Sequence, residues 1–172
     1  MKKKSRIIFL NGPSSAGKST LARQIQSSMP EPFYYMAIDQ YQLGVMPREA
    51  QFFELDLHEI SMEMFYDAVK VHIDKGYNLI LDDVIDSESY YQFVRAALKE
   101  ATVFWIRLEC SLETLLQREL RRSDRKADIE NVTKQYHNLS PKEDYDLIID
   151  SEHCDPVTNS AIVRKEYYHE TF

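Results

Sequence analysis

The chain has 172 residues, a formal net charge of −7, and ordinary fractions of hydrophobic (44%) and charged (28%) residues. This composition excludes a disordered or fibrous chain, and the length predicts one domain over residues 1–172. The acidic balance argues against nucleic acid or an anionic membrane as a partner. Because the apolar run after the N-terminal lysines is too short for a signal peptide, and no run is long enough to span a membrane, we expect a cytoplasmic protein.

Short apolar runs alternate with helical patterns along the chain. The runs cover residues 6–10, 33–38, 78–81, 103–108 and 145–149. Helical patterns cover residues 19–29, 61–75, 88–99 and 112–126, part of 128–137, and a last helix from 155 to about 168. Apolar runs of this length that end in turn residues are typical of buried parallel strands. The alternation therefore predicts an α/β protein in which a parallel five-stranded sheet lies between two layers of helices.

The segment after the first predicted strand carries a phosphate-binding pattern. Residues 12–19 read Gly-Pro-Ser-Ser-Ala-Gly-Lys-Ser, which fits the P-loop pattern G-x-x-x-x-G-K-S/T and precedes an amphipathic helix. The glycines let backbone N–H groups turn toward phosphate oxygens, the lysine supplies a cation for the β- and γ-phosphates, and the serine hydroxyl is a ligand for Mg²⁺. We therefore predict a P-loop NTPase fold that binds ATP and Mg²⁺ through Gly12, Pro13, Ser14, Ser15, Ala16, Gly17, Lys18, Ser19 and Thr20.

The absence of further motifs narrows the class of P-loop protein. The sequence has neither N-K-x-D nor D-x-x-G, which argues against a GTPase switch. It is also too short for a transporter or ring ATPase. A small phosphotransferase remains, in which Lys18 would act in catalysis as well as in binding.

Three aspartates follow predicted strands, at the sheet edge where ligands bind in open α/β proteins. Asp82 and Asp83 end the run at 78–81, where an acid that holds Mg²⁺ is expected, and the pattern does not choose between them. The alternative is that they cap the next helix. Asp39 ends the second run and would accept the proton of a substrate hydroxyl as a general base. The alternative for Asp39 is a cap of the segment that follows it.

A basic cluster lies within the predicted helix at 112–126. Arg118, Arg122 and Arg125 have the spacing of residues on one helix face. Arginines beside a transferred phosphate neutralise the charge that develops in the transition state, so we assign Arg122 and Arg125 to catalysis and Arg118 to nucleotide binding. The alternative is a solvated basic face.

Over residues 6–150 the sequence resembles the chloramphenicol phosphotransferase-like P-loop kinases. The resemblance implies an ATP-dependent O-phosphotransferase with a sheet like that of the nucleoside-monophosphate kinases, with Asp39 as base and the three arginines serving the phosphates. Between Asp39 and Asp82 the sequence matches that family poorly, so the acceptor is left open. The matching segments are residues 8–19, 29–32, 38–39 and 80–84, followed by Arg118-Glu119, Arg122, Asp124-Arg125, Tyr145-Asp146 and Asp150.

The sequence thus predicts a kinase that transfers a phosphoryl group from ATP to a hydroxyl of a small molecule. One alternative is a nucleoside or nucleotide kinase, which would need base-recognising polar groups after the second strand. Another is a nucleotide-binding regulatory module with little catalysis, which would have no need for a base at Asp39.

Overall fold

The structure, a computed structural model, describes residues 4–45, 57–123, 126–139 and 144–171. Along these residues each strand is followed by one or two helices, and the helix at residues 38–45 is one that the sequence patterns did not predict. The strands are β1 (Arg6–Asn11), β2 (Tyr34–Ala37), β3 (Leu79–Asp83), β4 (Thr102–Glu109) and β5 (Leu147–Asp150). The helices are α1 (Lys18–Ser28), α2 (Ile38–Val45), α3 (Leu57–Lys75), α4 (Glu88–Ala97), α5 (Leu112–Leu120), α6 (Ile129–Asn138) and α7 (Pro156–Thr171).

The five strands form one sheet in the order β2-β3-β1-β4-β5, and every neighbouring pair is parallel. The predicted parallel sheet is therefore confirmed. The strand that precedes the phosphate-binding pattern lies at its centre. Asn11, the last residue of β1, is opposite Asp83 on one side and Arg107 on the other. This register brings polar side chains from three strands to one edge of the sheet.

Apolar side chains cover both faces of the central strands, which explains why these strands read as continuous apolar runs. On one face Ile8 and Leu10 pack in a core with α1 and α7. On the other face Phe9 packs with Phe65 of α3 and Val94 of α4. The protein is thus a three-layer α/β sandwich, as the sequence predicts. No helix among the described residues is long and apolar enough to cross a membrane.

The helix predicted at 112–126 is shorter in the structure. It ends at Leu120, and the N–H groups of Arg121 and Arg122 close the last turn on carbonyls three residues earlier. Residues 121–128 contain no large apolar side chain, so a further turn would bury nothing against the sheet. The prediction that three arginines share one face of this helix is therefore wrong, because Arg122 follows the helix. Arg125 lies outside the described residues.

Asp39 also differs from its predicted position. Strand β2 ends at Ala37 and α2 begins at Ile38, so Asp39 lies in the first turn of α2 and not at the end of a strand. An acidic side chain in a first turn complements the positive end of the helix dipole. Its side chain is nevertheless exposed, and it borders the cavity described below.

Candidate active site

The loop between β1 and α1 has the backbone that its glycines allow. Gly17 has a φ of 92°, in the left-handed region, and a Cβ there would meet nothing within 4 Å. The left-handed backbone conformation therefore explains why glycine occupies position 17. At Gly12 a Cβ would lie 3.1 Å from the carbonyl oxygen of Leu108, so close packing against β4 accounts for the other. The loop ends at Lys18, where α1 begins, and the first residues of α1 border the cavity.

The Lys18 side chain is buried against the loop that precedes it. Its ammonium donates hydrogen bonds to the carbonyl oxygens of Gly12 (2.8 Å) and Pro13 (3.1 Å). The same nitrogen is 3.8 Å from Asp82 Oδ1. The charge of Lys18 is thus held at the mouth of the loop, beside a carboxylate at the end of β3.

Ser19 and Asp82 meet across the start of α1 and the end of β3. The Ser19 hydroxyl donates to Asp82 Oδ2 at 2.8 Å, and the Tyr35 hydroxyl donates to the same oxygen at 2.9 Å. Burial and the Asp82 charge raise the pKa of Tyr35, which keeps its phenol a hydrogen-bond donor. Hydroxyl and carboxylate oxygens are ligands that Mg²⁺ prefers, and the ion binds proteins through one or two carboxylates together with phosphates. This donor set fits Mg²⁺.

Asp83 has a different environment from its neighbour, because successive side chains of a strand point to opposite faces of the sheet. Its Oδ2 accepts hydrogen bonds of 2.6 Å from the hydroxyls of both Tyr66 and Tyr90. Its Oδ1 accepts one from the Val84 N–H. Burial raises the pKa of Asp83, although these donors oppose the shift. The carboxylate thus links β3 to α3 and α4.

Asn11 is a buried residue of this edge to which the sequence analysis assigned no role. Its Oδ1 accepts hydrogen bonds from the N–H groups of Gly12 (2.9 Å) and Ile85 (2.8 Å). Its Nδ2 donates to the hydroxyl of Tyr145. One amide thereby joins the start of the phosphate-binding loop to the segments that follow β3 and precede β5. Asn11 can be selected from the sequence because it directly follows the apolar run of the predicted first strand.

A cavity of about 690 Å³ opens at this edge, a volume typical of small-molecule sites. It brings together most of the residues that the sequence analysis selected. Gly12 and Pro13 do not border it, and their carbonyls contact Lys18 instead. The selected residues that line it are Ser14, Ser15, Ala16, Gly17, Lys18, Ser19, Thr20, Asp39, Asp82, Asp83, Arg118 and Arg122.

The far end of the cavity is formed by Arg118 and residues 151–156. Arg118 donates to the carbonyl oxygen of Ser151 at 2.7 Å, which fixes its guanidinium on that wall. His153, to which the sequence analysis gave no role, also lines this end and lies 2.9 Å from Asp150 Oδ2. The hydrogen bonds from His153 and Glu152 lower the pKa of Asp150 to about 2, and Asp150 in turn raises the pKa of His153.

The sheet order, the glycine-bearing loop and the Ser19–Asp82 pair define a P-loop NTPase fold. Within that class, the chain belongs to the family described as chloramphenicol phosphotransferase-like protein, which matches residues 5–168. The resemblance noted from the sequence is confirmed.

Curated relatives occur in two strains of Mycobacterium tuberculosis, where the protein of strain H37Rv is named "Putative O-phosphotransferase Rv2636". It is 26% identical over 144 residues, which cover 70% of this chain. The match spans 64% of the relative, so this chain corresponds to less than two thirds of its length.

Solved structures share the fold. The Mycobacterium tuberculosis APS kinase CysC, in complex with AMPPNP and APS, superposes with a TM-score of 0.73 at 11% identity, covering 96% of this chain and 99% of the kinase. The tunicamycin resistance protein of Deinococcus radiodurans has a TM-score of 0.71 at 18% identity, covering 95% and 96%.

Proposed function

We propose that the protein is a kinase that transfers the γ-phosphoryl group of ATP to a hydroxyl of a small molecule, with Mg²⁺ as cofactor. The observation that carries the proposal is that one cavity is bordered by Lys18, the Ser19–Asp82 pair and Asp39. Family membership supports the same reaction. So does the name of the mycobacterial relative, an O-phosphotransferase.

In this proposal the triphosphate binds along the loop, where the N-terminus of α1 and Lys18 supply positive charge. Ser19 and Asp82 would hold Mg²⁺, which would neutralise negative charge on the phosphates. The adenine base lies at the far end of the cavity, where the planar guanidinium of Arg118 can stack on it. The acceptor enters beside α2, on the side of Asp39.

The transfer step uses Asp39 and Arg122. A bond forms between the acceptor oxygen and the γ-phosphorus, while the bond from that phosphorus to the β–γ bridging oxygen breaks. The proton of the acceptor hydroxyl passes to the Asp39 carboxylate, and ADP leaves with the bridging oxygen. Arg122 stabilises the charge on the transferred group.

The test is a screen for ATP consumption over antibiotics, nucleosides and sugars, followed by mass spectrometry of the product. A product heavier by one phosphoryl group, formed by the wild type and not by Lys18→Ala, supports the proposal. A phosphorylated nucleoside or nucleotide would identify the first alternative. Tight ATP binding without product from any compound would favour the regulatory module.

A further inference from the structure

Glu119, at the end of α5, has a carboxylate that is completely buried. No sequence pattern assigns it a role, and charged side chains are rarely buried unless they are paired. Its Oε2 accepts a hydrogen bond of 2.6 Å from the hydroxyl of Ser15, in the phosphate-binding loop. Its Oε1 accepts one of 3.1 Å from the N–H of Asp128, just before α6. One carboxylate therefore contacts two segments that are far apart in the chain.

Ser15 is the loop residue whose conformation needs support. Its φ of 65° lies in the left-handed region, and it is the one residue other than glycine with a positive φ among those described. Such conformations persist where the surroundings hold them. Ser15 also borders the cavity, so the bond to Glu119 acts on the part of the loop that would face the phosphates.

Helix α6 contacts the loop at a second point. Asp128 caps α6 through its side chain, which accepts from the Asn131 N–H. One turn further, Gln135 Oε1 accepts a hydrogen bond of 2.9 Å from the Ser14 N–H. The segment between α5 and α6 carries Arg122, which lines the cavity. Arg122 thus lies in the chain between two points, Glu119 and α6, that contact the phosphate-binding loop.

We infer that Glu119 is a positioning residue that couples the phosphate-binding loop to the segment carrying Arg122. This inference rests on the proposed function, because it assigns Arg122 to the transferred phosphate. The Ser15 hydroxyl holds the Glu119 carboxylate, and the carboxylate holds the start of α6. Arg122 is thereby kept over the cavity. Without the carboxylate, the loop would still bind ATP, but Arg122 would no longer be held in place relative to the loop.

The first experiment needs no nucleotide. Hydrogen exchange is measured by mass spectrometry in the wild type, Glu119→Gln, Ser15→Ala and the double variant, with Glu113→Gln as control because Glu113 is exposed on the same helix. Losing a hydrogen bond to a charged group should speed exchange at residues 126–131 about tenfold in Glu119→Gln. Ser15→Ala, which leaves Asp128 and Glu119 in place, should speed exchange at the same residues, and the double variant should add nothing. Faster exchange confined to the loop would overturn the coupling.

The second experiment measures transfer. Glu119→Gln should slow single-turnover transfer about tenfold while ATP affinity changes far less, and adding Arg122→Ala should cost little more. A variant that unfolds more easily but transfers at the wild-type rate would make Glu119 a purely structural carboxylate. If Glu119→Gln does not fold, the exchange in Ser15→Ala still decides the matter. If the wild type binds no ATP, the proposed function fails, while the nucleotide-free exchange still tests the coupling.

Discussion

The hydroxyl of Ser19 donates a hydrogen bond of 2.8 Å to the carboxylate of Asp82, although the two residues belong to different elements. Asp83 follows directly in the sequence, yet its carboxylate lies on the other face of the sheet, bonded to Tyr66 and Tyr90. By sequence pattern alone, either aspartate could hold the metal. The geometry favours Asp82 for the metal, because it lies beside both Ser19 and Lys18.

The two aspartates should therefore respond differently to amidation. Asp82→Asn should remove the dependence of ATP affinity on Mg²⁺, whereas Asp83→Asn should leave that dependence intact. Asp83→Asn should lower the free energy of unfolding by about 1–3 kcal/mol, because the hydroxyls of Tyr66 and Tyr90 lose their carboxyl acceptor. Magnesium titrations of ATP affinity and urea unfolding measure the two effects. Loss of the Mg²⁺ dependence in Asp83→Asn, and not in Asp82→Asn, would assign the metal to Asp83.

Lys18→Ala should abolish transfer and weaken ATP binding. Among the described residues, the side chain donates to the carbonyls of Gly12 and Pro13 and lies 3.8 Å from Asp82, so the sheet and helices should form without it. The measurement combines calorimetric ATP affinity with the thermal midpoint, and Lys70→Ala on the exposed side of α3 is the control. Equal turnover in Lys18→Ala and wild type would refute the role of the loop.

Asp39→Asn should lower the turnover number by about 10²–10⁴-fold, the usual range for general-base catalysis. The amide keeps the shape of the side chain but cannot accept the proton, so ATP affinity should hardly change. Single-turnover transfer and calorimetry test this, with Asp67→Asn, exposed on α3, as the matched control. Retention of more than about half of the wild-type rate, against that expected range, would leave Asp39 only its favourable interaction with the dipole of α2.

Arg122→Ala should slow transfer more than it weakens ATP binding, because its charge is needed most in the transition state. Steady-state kinetics should show a lower kcat at a nearly constant KM for ATP. Arg23→Ala, an exposed position on α1, controls for the change in net charge. An effect on KM alone would make Arg122 a ground-state ligand.

His153 should add a small, pH-dependent contribution to stability. Its pKa is raised from 6.5 by the hydrogen bond and charge of Asp150, so the folded state favours the protonated ring. This contribution is fully present below pH 6.5 and is lost as the pH rises through the folded-state pKa. The partner carboxylate, with a pKa of about 2, keeps its charge until strongly acidic pH.

The measurement is the difference in thermal midpoint between wild type and His153→Ala, taken from about pH 5 to about pH 9. The difference should shrink with rising pH and with added salt, because both side chains are exposed to solvent. A difference that stays constant across this range would show that the ion pair contributes nothing.

The elements that could be predicted from the sequence depend on local patterns. Residues 12–19 specify the phosphate-binding loop because the turn, the lysine and the serine hydroxyl are set by neighbours in the chain. The parallel sheet follows in the same way from apolar runs that alternate with helical patterns. The prediction of a helix failed where the helical pattern continued into residues that have no apolar side chain to bury. The helix expected to reach residue 126 ends at Leu120, because the charged residues beyond it have nothing to bury.

The amino-acid sequence by itself thus determined the fold class, the family and the loop. The tertiary structure decided which carboxylate serves which purpose. Asp82 and Asp83 are equivalent by sequence pattern, and they differ because Ser19 and Tyr35 donate to Asp82 while Tyr66 and Tyr90 donate to Asp83. Glu119 lies 104 positions from Ser15, and only packing of α5 against the loop brings their side chains together. Such pairings depend on how the elements pack, which no local spacing of residues encodes.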